Sequence, residues 1–156
     1  MRESIQVPEI SVDDFKTRLS QLCVKSGLSN FPRRKKDRHI LLKSVILGLD
    51  KRREYTETEI NPLLQIWLSQ VGTHFHLDYV NLRRHLIDEE FLGRSKDGSR
   101  YWVATYSRNQ MYFDPEINEI DIPDLIKSNR EISTKRKARF ERTSKESKNT
   151  STYDNL

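Results

Sequence analysis

Four apolar stripes at helical spacing run along the first half of the chain. Phe15, Leu19 and Leu22 follow Ser11, with Asp13 and Asp14 in the first turn, which predicts an N-capped helix from about Val12 to Val24. Gly27 and the Ser29–Pro32 turn break it, because Pro32 disfavours a helical Phe31. Ile40, Leu41, Ser44, Val45, Leu47 and Leu49 form a second stripe, with Gly48 expected as its C-cap. Thr56 and Glu59 have the spacing of a capping box, and Ile60, Leu63, Leu64, Trp67 and Leu68 share one face behind them. Pro62 falls early enough in that helix to be tolerated. Phe75, Tyr79, Leu82 and Leu86 line up on a fourth helix, leaving Asn81, Arg84, His85 and Asp88 outward.

The pattern then changes. "FLGRS" and "RYWVATY" flank Lys96-Asp97-Gly98, and Asp-Gly between apolar runs is a hairpin signal. Helices followed by such a hairpin give the element order of a winged helix. Beyond Ser107, Ile117, Ile120, Ile122 and Leu125 can pad the core or a partner, and Pro123 starts a short helix. From Lys127 onward apolar residues nearly vanish apart from Ile132 and Phe140, so the expectation is a solvated tail, with a basic helix around Thr134–Arg142 and then disorder. The expected fold is mainly α with a small β-hairpin. Residues 1–30 form an extension with one helix, 31–106 a winged-helix-like domain, and 107–156 a basic extension disordered toward its end.

Composition narrows the setting. Hydrophobic residues make up 35% of 156 and charged residues 33%, which suits one modest core plus polar segments. A net charge of +5 and a pI near 9.3 favour acidic partners such as nucleic acid. The first ten residues lack an apolar leader core and no segment reaches the roughly 20 apolar residues of a membrane span, so a cytoplasmic location away from the membrane is expected. The single cysteine, Cys23, excludes an internal disulfide and a Cys-based zinc knuckle, and reads as a core residue.

The candidate chemistry is concentrated in "HFHLDYVNLRRHL", His74 to Leu86. His74, His76 and Asp78 alternate as metal ligands could on an extended strand, but Asp78 is also placed to cap the next helix, and a third and fourth ligand would still be needed. No metal and no cofactor are expected. Arg83 and Arg84 stand about 100° apart on a helix. Arg84, with Asn81 and His85, then suits a groove, while Arg83 suits an internal pair with Glu57, Glu59 or Asp88. Arg can read guanine and Asn adenine. Arg33, Arg34, Lys35, Lys36 and Arg38, with Lys43 and Lys51–Arg53, suit phosphates, as do Arg94, Lys96 and Arg100 on the hairpin and Lys135, Arg136, Lys137, Arg139 and Arg142 in the tail. Trp67 and Trp102 read as core anchors, and Glu57 and Glu59 as capping residues. Signatures of an enzyme are missing: no Gly-rich phosphate loop and no nucleophile elbow.

"FPRRKKDRHILLKSVILGL", "YTETEIN" and "HLDYVNLRRHLIDEEFLGRSKDGSRYWV" together resemble the bacterial domain-of-unknown-function family 2087, over Phe31 to about Val103. The resemblance implies a small winged-helix-like domain of candidate transcription regulators. The expected function is therefore nucleic-acid binding, with double-stranded DNA as partner, by a non-enzymatic regulator that uses Asn81, Arg83, Arg84 and His85 together with the basic run and the hairpin. The other reading is a protein–protein interaction module with Ile117, Ile120, Ile122 and Leu125 at its interface. A homodimer through the first helix is compatible with either.

Overall fold

Ser11 accepts a hydrogen bond from the Asp14 N–H at 3.1 Å, and this cap starts α1, Val12–Ser20, with Phe15 and Leu19 buried. The computed structural model describes residues 7–25, 29–105 and 107–153. The break expected at Gly27 and the boundary at Tyr106 lie outside them. Rather than running on unchanged to Val24, α1 widens into a π turn at Gln21–Lys25 that buries Leu22 and Cys23.

Helix α2, Lys35–Ile46, begins inside the basic run, so Lys35 and Lys36 occupy its first turn. It is buried on more sides than its stripe implied, since Asp37, His39, Leu42 and Ile46 are also enclosed. The Gly48 N–H bonds to the Val45 carbonyl at 3.1 Å, and this tightened turn ends the helix with Leu47 as its C-cap, one residue before the expected Gly48.

Helix α3, Glu57–Gln70, starts at the anticipated capping box, where the Thr56 N–H donates to Glu59 Oε1 at 3.0 Å. Asp78 caps α4, Tyr79–Asp88, by accepting from the Asn81 N–H at 2.8 Å. Glu90 follows at φ 63°, the left-handed position that closes a helix, and the Phe91 N–H returns to the Leu86 carbonyl at 2.8 Å.

Strands β1, Leu92–Arg94, and β2, Tyr101–Val103, pair antiparallel with Arg94 opposite Tyr101 and Gly93 opposite Trp102. Their turn contains Gly98 at φ 75°, and Asp97 accepts bonds from Ser95 and Ser99. Tyr55 adds a one-residue bridge on the other edge of β2. Its N–H donates to the Tyr101 carbonyl at 2.7 Å, and the Tyr101 N–H returns the bond at 2.8 Å.

A 3-10 turn, Pro115–Glu119, leads to α5, Ile122–Tyr153, which continues through the segment read as a solvated tail. Its residues from Thr134 to Phe140 are exposed, as that polar composition requires. Ile10, Phe15, Leu19, Ile117, Ile122 and Ile126 share one core with Ile40, Leu41, Ile60, Leu64, Leu82 and Leu86. The chain is therefore mainly helical with a two-stranded hairpin, and both flanking segments contribute to the same interior. Arg18 clasps Asp37 through Nε and Nη2 at 2.8 and 2.9 Å, tying α1 to α2. Arg130 of α5 donates to the carbonyls of Gln70 and Val71 at 2.7 and 3.2 Å, closing the C-terminal end of α3. Among the described residues no helix is long and apolar enough to cross a membrane.

Candidate nucleic-acid interface

Leu82 and Leu86 are fully buried and Tyr79 half-buried, which fixes the inner face of α4. At about 100° per residue, Arg84 then stands nearly opposite that face. Val80 and Ile87 flank it on one side, Asn81 and Asp88 on the other, and all of these except Ile87 are exposed. Among the described residues the Arg84 side chain makes no hydrogen bond or ion pair within the protein.

Arg83 has a different role. Its guanidinium donates to Asn61 Oδ1 at 2.5 Å, lies 3.3 Å from Glu57 Oε1 and sits 5.3 Å from the centre of the Tyr101 ring. Arg83 thus makes the internal pair with Glu57 that its helical phase suggested, while it also borders the groove beside Arg84. Arg94 approaches the same ring at 5.9 Å, which makes Tyr101 the joint between helix and hairpin. The resulting groove, about 330 Å³, is lined by Val80, Arg83, Arg84, Ile87, Asp88 and Arg94.

His85 is a correction. It is half-buried and stacked on Phe31 with ring centres 4.4 Å apart, rather than facing outward. Burial holds its imidazole below the ordinary histidine value, although Glu89 and Asp88 pull the other way. The missed signal was Phe31, an aromatic in a turn with no helical stripe to join.

The remaining cations fall into separate groups. Lys96 and Arg100 are exposed on the hairpin turn around Asp97, whose carboxyl its serine hydrogen bonds hold down at about 2. Arg33, Arg34, Lys35 and Lys36 are exposed, but Arg34 and Lys36 line a groove against α1 with Arg18 and Asp37, apart from the Arg84–Arg94 groove. Arg38 is drawn inward, donating to Glu89 Oε1 at 2.8 Å and to the Arg33 carbonyl. Burial lowers Lys43 to about 8, and its ammonium lies 5.5 Å from the centre of the Phe113 ring. The side chain of Arg142 lies outside the described residues, while Lys135, Arg136, Lys137 and Arg139 are exposed on α5.

The two tryptophans differ in placement. Trp67 is the expected core anchor, its Nε1–H donating to Ser44 Oγ at 2.9 Å. Trp102 is exposed, because β2 turns Tyr101 and Val103 inward and Trp102 out. Its indole lies across Gly93, where a Cβ would come within 2.1 Å of Nε1. Ile117 and Ile122 are buried and Ile120 and Leu125 pack against the core, so the core alternative holds for this group.

His74 and His76 are exposed, and the Asp78 carboxylate is engaged in its cap. Among the described residues no three His, Cys, Asp or Glu side chains converge as a metal site. Burial pushes the Cys23 thiol up to about 12, which removes its nucleophilic form at neutral pH.

Residues 27–103, from before Phe31 to the end of β2, match the bacterial family described as "Uncharacterized protein conserved in bacteria (DUF2087)". This segment belongs to the DUF2087 family. The DUF2087 domain thus spans α2 through β2, and it contains the Arg84–Arg94 groove entire. No curated protein and no solved structure matches the chain.

Proposed function

We propose that the chain is a winged-helix DNA-binding protein, a cytoplasmic transcription regulator without enzymatic activity, that presents α4 to duplex DNA and its hairpin to the flanking backbone. The observation that carries the reading is the Tyr55–Tyr101 pairing. It sets Tyr55, in the loop between α2 and α3, beside β2 as a one-residue bridge, and the order helix, bridge, helix, helix, strand, turn, strand supports the winged-helix reading.

Fold alone does not specify function, and the site adds chemistry of the right kind. Arg84 and Asn81 can hydrogen-bond base edges, while Arg94, Lys96 and Arg100 can neutralise phosphates and release counterions. The test is fluorescence anisotropy of a labelled random-sequence duplex, titrated with wild type and an Asn81→Ala, Arg84→Ala variant at two salt concentrations. Binding that weakens steeply with salt and is reduced in the variant is the expected result. Absence of binding by the wild type at low salt refutes the reading.

A further inference from the structure

The outer arc of α4 carries one exposed apolar residue, and phosphate binding has no use for it. Val80, a branched aliphatic side chain on the first turn, is 40% exposed, whereas Leu82 and Leu86 of the same helix are fully buried. It lies one turn before Arg84, in the groove that Arg94 also lines. Residues four apart on a helix have Cβ atoms about 5–6 Å apart, so the two side chains address base pairs one or two steps apart on a duplex that rises about 3.4 Å per pair.

The polarity of the helix sets which end leads. Asp88 and Glu90 are exposed at the C-terminal end and would meet phosphates with like charge, while Val80, Asn81 and Arg84 occupy the first two turns. A recognition helix that enters by its N-terminal turns brings those three residues to base edges. The thymine C5 methyl is the apolar group that the major groove presents, and guanine N7 and O6 form an acceptor pair matched to arginine.

Resting on the DNA-binding reading above, we infer that α4 reads the major groove of B-form DNA with Val80 packed on a thymine methyl and Arg84 on a guanine one or two base pairs away. The ligand class is then duplex DNA and not RNA. Uracil lacks the methyl, and the major groove of an A-form helix is too deep and narrow to admit these side chains.

The full chain is first used to select bound sequences from a random duplex library. The selected duplex is then remade with each thymine in turn replaced by deoxyuridine, which removes one methyl and leaves every phosphate in place. Replacement at one position should weaken wild-type binding about three- to fivefold, the equivalent of one buried methyl group, with the salt slope unchanged. The Val80→Ala variant should be indifferent to the same replacement. Its side chain is exposed, so its urea midpoint should match wild type, and that match is measured alongside. No effect of uracil at any position, an equal effect in Val80→Ala, or equal binding to double-stranded RNA of the same sequence overturns the inference and leaves DNA binding standing. Failure of the wild type to bind any duplex removes both.

Discussion

Exchanging Arg83 and Arg84 for alanine one at a time should separate stability from binding, although the two are neighbours in sequence. Arg83→Ala removes a charged hydrogen bond to Asn61, a cation–π contact with Tyr101 and an ion pair to Glu57. The first is worth about 1.5–3 kcal/mol, the second about 0.5–1 and the third close to nothing, since the Glu57 side chain is 59% exposed. Non-additivity within one cluster reduces the sum, and a loss of about 2–3 kcal/mol is expected. For a chain of 156 residues this corresponds to a melting temperature lower by roughly 5–10 °C. Arg84→Ala touches nothing comparable and should stay within about 0.5 kcal/mol of wild type.

Affinity should show the opposite order. Urea unfolding followed by tryptophan fluorescence gives the stabilities, and anisotropy on a selected duplex, well below the melting temperature of either variant, gives the affinities. Arg84→Ala should bind at least about fivefold more weakly, and Arg83→Ala within about twofold of wild type. A stable Arg83→Ala variant that binds as poorly as Arg84→Ala would refute the assignment of Arg83 to the frame.

Three further outcomes test the frame itself. Asp37→Ala should cost about 1–3 kcal/mol, a range reduced for the 38% exposure of the Arg18 side chain, and Arg18→Ala added to it should cost little more; additive losses in the double-mutant cycle would mean that the clasp is not one interaction. Glu90→Gly should raise stability by roughly 0.5–1 kcal/mol in urea unfolding, because glycine relieves the left-handed backbone and the exposed Ser107–Glu90 contact it loses is weak; a decrease would count against strain at Glu90. His39 accepts from the Met111 N–H at Nδ1, and burial depresses its proton affinity more than Glu89 restores it. The unfolded chain then binds the proton more readily, so stability should be full above about pH 6.5 and fall as pH drops through the folded value. Urea midpoints at pH 7.5 and 5.5 should differ in that direction, less so in His39→Gln, and a flat profile rules this out.

Periodicity revealed those parts of the site that depend on one element alone. The angle between Arg83 and Arg84 is a property of any helix, so once Leu82 and Leu86 were assigned inward, the outward direction of Arg84 followed without knowledge of neighbours. The caps at Ser11, Thr56 and Asp78 are equally local, each an oxygen within three residues of the amide it serves. Failures arose where a second segment decides. His85 has an outward helical phase, but Phe31, 54 positions earlier, covers it. Trp102 looked like a core anchor by size, but its direction depends on the register of β2, which pairs it with Gly93 and sends Tyr101 inward.

Tyr55 shows the same limit most clearly. One residue of strand leaves no alternation to detect, yet its two backbone hydrogen bonds to Tyr101 hold the loop before α3 against the hairpin. Tyr101 in turn receives Arg83 from α4 and Arg94 from β1 against its ring, so this buried side chain helps to set α4 against the hairpin. A site of this kind is legible in sequence as a set of outward cations. The inward aromatic that Arg83 and Arg94 share leaves no such signal.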